Sequence, residues 1–133
     1  MNRNEIEAFA ARWLSAVVRG NTAEFEHLLS PFVADSNTGE RTSPAAFGER
    51  ASAVQRAFSE LVGHVDELLV DGDRIAWRWT LTGVHSGPFL GEPATGKRVR
   101  LSGTNFQRLS EGVVVAHYTL ADALGVLRRL RGD

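Results

Sequence analysis

The chain has 133 residues, of which 43% are hydrophobic and 23% charged; fifteen basic and sixteen acidic side chains give a net charge of -1, and there is no cysteine. Those values fit one globular domain spanning residues 1–133 and exclude a disordered, collagen-like or coiled-coil chain. They also exclude disulfides, thiolate metal sites and a cysteine nucleophile, and the near-neutral charge argues against a nucleic-acid or anionic-membrane surface.

The opening MNRNEIEAFA lacks the apolar stretch of a signal peptide, and no later run approaches the roughly 20 apolar residues that span a bilayer, so a cytoplasmic protein is expected. From Asn4, an N-cap candidate, the residues Ile6, Phe9, Ala10, Trp13, Leu14 and Val17 follow helical spacing as far as Gly20. A second, shorter helix is predicted from Asn21-Thr22, with Phe25, Leu28 and Leu29 on one face and Pro31 as its stop. Residues 33–42, VADSNTGERT, carry turn chemistry. Ser43-Pro44 then opens a third helix with Phe47, Ala51, Val54, Phe58 and Leu61 on its apolar face. At HVDELLV the period changes: this run, the turn Asp71-Gly72-Asp73 and RIAWRWTLTGV predict a β-hairpin. HSGPFLGEPATGK holds too many glycines and prolines for a ladder and reads as a loop. RVRLSGTNFQRL and VVVAHYTL form a second hairpin around Ser110-Glu111-Gly112, and ALGVLRRLRG forms a short terminal helix.

Helices first and antiparallel strands afterwards is the α+β pattern, with three N-terminal helices packed on a curved antiparallel sheet that forms a cone. The pieces GDRIAWRWTLTG at 72–83, His85 with Gly87, GEPATGKRV at 91–99, Arg108, and HYTLADALGVL from His117 to Leu127 together resemble the SnoaL-like polyketide cyclase family. The resemblance covers about the last 75 residues and implies the cone-shaped, cystatin-like fold of nuclear transport factor two. It also implies cofactor-free ring closure by intramolecular aldol condensation, with a small hydrophobic, aromatic or polyketide ligand as substrate.

Asp122 follows a strongly apolar strand. From the residues alone it is either a cap of the terminal helix or a carboxylate facing a cavity; the resemblance implies that it is the acid/base residue. His117 and Tyr118 point to opposite strand faces, and Tyr118 shares the parity of Leu120 and Asp122, which predicts Tyr118 on the pocket face. Here the chain reads Ala116-His117-Tyr118 where the family usually reads Glu-His-Trp. His85 is a structural hydrogen-bonder or, by the resemblance, a residue at the pocket rim. Asn105 and Gln107 orient substrate oxygens or bond backbone. Trp13 belongs to a set of flat side chains suited to a planar ligand; Trp77 and Trp79 share one strand face and are either core or a dimer interface. Arg78 and Arg108 read as inter-strand ion-pair partners, Arg128, Arg129 and Arg131 as complements to a helix dipole, and PATGK is too short for a phosphate loop. The expected partners are therefore a small hydrophobic ligand and a second copy of the chain across the outer sheet face, with no cofactor, metal, nucleic acid or membrane. The alternatives are a non-catalytic ligand-binding or protein-interaction domain, or a relative with changed chemistry, such as an epoxide hydrolase or a monooxygenase partner. In a steroid-isomerase-like arrangement the acid on offer is Asp35.

Overall fold

A computed structural model describes residues 1–132. Helix α1 spans Arg3–Arg19 and begins in a capping box in which Asn2 and Glu5 satisfy each other's backbone N–H groups. Its stripe buries Ile6, Phe9, Ala10, Trp13 and Leu14. A single 3-10 turn, Thr22–Glu24, and one α-helical turn, α2 at Phe25–Leu28, replace the longer second helix that the sequence predicts.

That helix stops early because the chain enters strand β1, Leu29–Asp35, in which Leu29, Val33 and Asp35 are buried. Pro31 lies inside β1, where the pairing to its neighbour slips between Leu29 and Ala34 and no ladder N–H is required. Of the segment predicted as turn, only 36–39 turns; β2, Glu40–Thr42, returns antiparallel to β1.

Helix α3, Pro44–Ala57, is capped by the Ser43 hydroxyl and ends four residues before the predicted Leu61. Phe58 instead opens β3, Phe58–Asp71. The strands β4, Arg74–His85, β5, Arg98–Ser110, and β6, Val113–Ala121, follow as the sequence predicts, and α4, Ala123–Leu130, closes the chain. The sheet order is β2-β1-β6-β5-β4-β3, antiparallel throughout except for the parallel pair β1 and β6.

Register slips in β3, between Ser59 and Val62 and again between Val65 and Glu67, bend the strand. The curved sheet wraps α1 and α3 as the α+β cone that the sequence predicts. Helix α1 approaches so closely that a Cβ on Gly63 would lie 2.9 Å from Leu14 Cγ, so no larger residue fits there without moving the helix. Arg78 pairs with Glu67 and Arg108 with Asp73 across strands, both on the exposed face, where such pairs contribute little. Among the described residues no helix is long and apolar enough to cross a membrane.

Candidate functional site

Between α1, α3 and the inner face of the sheet lies a cavity of about 270 Å³. That is near the lower end, about 300 Å³, of the usual range for small-molecule pockets. Trp13 of α1, Phe25 of α2, Phe47 of α3 and the paired Trp77 and Trp79 of β4 make its wall largely aromatic. Trp77 and Trp79 are thus interior residues, not an exposed interface.

Strand β6 turns His117, Thr119 and Ala121 toward the cavity. Tyr118 accordingly faces outward, edge-on to Phe106 at 6.4 Å between ring centroids, which corrects the parity assigned to it. The mistaken step was to let Asp122 fix the face. The strand ends at Ala121, and Asp122 swings out to start α4, so its parity carries no information about β6. Asp122 is exposed, and its Oδ1 accepts from Gly125 N at 2.9 Å; it does not belong to the cavity lining. His85 is fully buried elsewhere, where its Nδ1 meets Thr95 Oγ1 at 3.0 Å and Thr95 N at 3.2 Å and ties down the loop 86–97.

The structure brings Trp13, Asn105 and His117 together in the cavity, with Gln107 behind His117. The His117 ring stacks on Trp13 at 5.2 Å and meets the Phe47 edge at 4.9 Å. Trp77 Nε1 donates to Gln107 Oε1 at 2.9 Å, and Gln107 Nε2 lies 3.1 Å from His117 Nδ1. Trp79 Nε1 donates to Asn105 Oδ1 at 3.1 Å, and the Thr119 hydroxyl donates to the same oxygen at 2.8 Å. Trp79 can lie across β5 only because residue 103 is glycine: a Cβ there would come within 2.3 Å of Trp79 Cζ2.

Behind His117 sits a buried ion pair. Asp35 is the Cα partner of His117, and Arg50 Nη2 reaches Asp35 Oδ2 at 3.0 Å. Burial pushes the Asp35 carboxyl up, but the Arg50 hydrogen bond and charge, with the backbone N–H groups of Asn37 and Thr38, outweigh it and hold Asp35 below the usual carboxylate value. Burial, with the positive Arg50 adding to it and Asp35 opposing, lowers the His117 pKa to about 4. The imidazole is therefore neutral near pH 7. Arg50 both lines the cavity and is half-exposed, so it stands at the cavity mouth.

Sequence reasoning passed over Arg50 and Thr119. Arg50 left a signal: with Phe47, Ala51 and Val54 it shares one face of α3, a charge inside an apolar stripe. Among the described residues no group of three or more His, Asp and Glu side chains is placed to hold a metal ion.

The sequence model described as SnoaL-like polyketide cyclase matches residues 8–130. The aklanonic acid methyl ester cyclase DnrD of Streptomyces peucetius is 32% identical over 126 residues, which are 90% of this chain and 86% of that protein. Among solved structures, TsrD of Streptomyces laurentii superposes with a TM-score of 0.88 at 25% identity, covering 98% of this chain and 97% of TsrD. AclR of Streptomyces galilaeus, for which a hydroxylase activity has been suggested, superposes with a TM-score of 0.85 at 26% identity, covering 99% of this chain and 84% of AclR.

Proposed function

The chain belongs to the SnoaL-like polyketide cyclase family, and we propose that its aromatic cavity binds a polyketide-like carbonyl compound and closes it into a ring by cofactor-free acid/base chemistry. One observation carries this: an apolar, aromatic cavity in which His117, Asn105 and Arg50 are the polar groups available to substrate oxygens. In an intramolecular aldol addition a carbon beside a carbonyl loses its proton, the resulting enolate carbon attacks a second carbonyl, and the new alkoxide takes up a proton. No atom is lost, so substrate and product have the same mass.

The similarity to DnrD makes aklanonic acid methyl ester the first substrate to test, with chromatography and mass spectrometry as the readout. The expected result is a product of unchanged mass and altered retention. Ala51→Trp, which fills the cavity, should abolish the conversion. Conversion that survives in this variant would place the chemistry elsewhere.

The acid/base role implied for Asp122 is a distinct part of the proposal. Its carboxylate directly follows Ala121, a cavity-lining residue, and taking a substrate proton would require it to give up its bond to Gly125. Asp122→Asn separates the two roles, because asparagine caps a helix about as well as aspartate but cannot take that proton. Background turnover with unchanged stability supports the acid/base role; undiminished turnover leaves Asp122 a cap only.

The same standing applies to a homodimer. Leu69, Ala76, Phe106 and Tyr118 align across four strands on the outer face, with exposed Leu120 nearby. Sedimentation should report a dimer that Phe106→Glu dissociates; a wild-type monomer at micromolar concentration would end this part of the proposal.

A further inference from the structure

Two hydrogen-bond chains in the cavity wall start from groups that can only donate. An indole N–H offers no lone pair. Trp77 therefore makes the Gln107 side-chain oxygen the acceptor, which leaves the Gln107 amide nitrogen facing His117 Nδ1. Because that nitrogen also only donates, Nδ1 must accept, and the neutral ring carries its proton on Nε2. A second chain runs beside the first: the Trp79 indole and the Thr119 hydroxyl occupy both lone pairs of Asn105 Oδ1. The Asn105 Nδ2 group is left with two N–H bonds to give. Among the described residues neither His117 Nε2 nor Asn105 Nδ2 has a hydrogen-bond partner, and neither is sealed from probe contact as His85 Nε2 is. Both residues are more than nine-tenths buried and line the cavity.

We infer that Trp77 and Trp79 are positioning residues that set the hydrogen-bond polarity of the cavity, so that His117 and Asn105 present donors alone and the site selects the enolate of a planar β-dicarbonyl compound over its neutral form. This deepens the reading of the cavity as the site of ring closure and rests on it for the reaction, though not for the polarity. Donors fixed in advance inside a largely apolar cavity stabilise a developing oxyanion without reorganisation, and hydrogen bonds to a charged acceptor are roughly twice as strong as neutral ones. The positive Arg50 at the mouth acts in the same direction. Swapping either indole for a ring without N–H would free the amide to turn its oxygen outward and offer the anion an acceptor.

The test begins with the ligand-free wild type. Long-range proton–nitrogen spectra of histidine-labelled protein should show His117 as the Nε2–H tautomer; the Nδ1–H tautomer would overturn the inference without any variant. In Trp77→Phe the ring should lose that single tautomer. Gln107→Glu, whose carboxylate accepts from the ring, should reverse it to Nδ1–H even if Trp77→Phe does not fold. An unchanged tautomer in both variants would remove the indole from the chain.

Acetyldimedone, a cyclic β-triketone ionised at neutral pH, and its neutral O-methyl enol ether provide the binding arm by calorimetry. Wild type should favour the ionised form by about tenfold or more, the effect expected of a hydrogen bond to a charged group. Trp77→Phe and Trp79→Phe should lose that preference while keeping their affinity for the ether. Equal affinity of the wild type for both compounds would overturn enolate selection. The predicted tautomer and preference without any conversion of a polyketide would count against the proposed reaction and leave the inference intact.

Discussion

His117 should make the protein sensitive to acid in a window set by its burial. Its pKa is lowered from 6.5 to about 4 in the folded protein, and the ring is only 2% exposed. Between those values the unfolded chain holds a proton on this ring that the folded chain does not. Stability therefore falls as pH drops from 6.5 toward 4, and this ring causes no further loss once both states are protonated. Each unit of difference corresponds to about 1.4 kcal/mol, so the whole window amounts to roughly 3 kcal/mol, a large share of the 5–15 kcal/mol typical of a folded domain. The charged groups facing the ring are Arg50 from α3 and Asp35 from β1; α1 and β5 contribute the uncharged Trp13 and Gln107. Asp35 has the opposite sign of shift for a carboxylate. Because its folded pKa lies below 3.8, the stability it contributes is present above 3.8 and is lost only as pH falls through the folded value, beneath the His117 window. Urea unfolding of wild type and His117→Gln at half-unit steps from pH 7.5 to about 4 measures the effect. The variant will carry a constant offset from its altered packing, but the difference between the two curves should shrink by roughly 3 kcal/mol across the window. Parallel curves would show that His117 titrates alike in both states, and the argument from burial would fail.

Three further outcomes follow from the same contacts. Arg50→Gln should raise the His117 pKa above about 4, because it removes the positive neighbour that helps depress it, and a nuclear magnetic resonance titration of the ring reads this directly. The same change leaves the buried Asp35 carboxylate without its cation and should destabilise by about 1–3 kcal/mol in urea unfolding. Gly103→Ala places a methyl group 2.3 Å from Trp79 Cζ2, which should cost about 1–3 kcal/mol and weaken ligand binding in calorimetry by shifting the indole off Asn105. Asp122→Ala should lose about 1 kcal/mol in thermal unfolding through the missing cap of α4, whereas Asp122→Asn should lose only a few tenths.

What was legible in the sequence depended on whether a residue's neighbours along the chain were also its neighbours in space. The stripe from Ile6 to Val17, the turn at Gly72 and the alternation of β4 to β6 are local signals, and the structure follows them. The segment 29–42 defeated the reading because β1 makes a parallel pair with a strand more than eighty residues away, and a pairing of that kind leaves no short-range pattern. Asp35 was visible as an acid, but its burial beside His117 exists only once that pairing forms.

The candidate site shows the same limit more sharply. Its polar residues occupy inner-face positions of strands, where periodicity predicts core, and its tryptophans satisfy every expectation for core while also orienting the amides of Gln107 and Asn105. Those contacts run diagonally across β4 and β5, since Trp77 is registered against Asn105 yet bonds Gln107, and Trp79 is registered against Gly103 yet bonds Asn105. Gly103 is the residue through which the sequence encodes this offset, because a side chain there would push Trp79 away from the amide it orients. A glycine in the middle of a strand, opposite a tryptophan, was therefore the one local sign that this face of the sheet does more than pack.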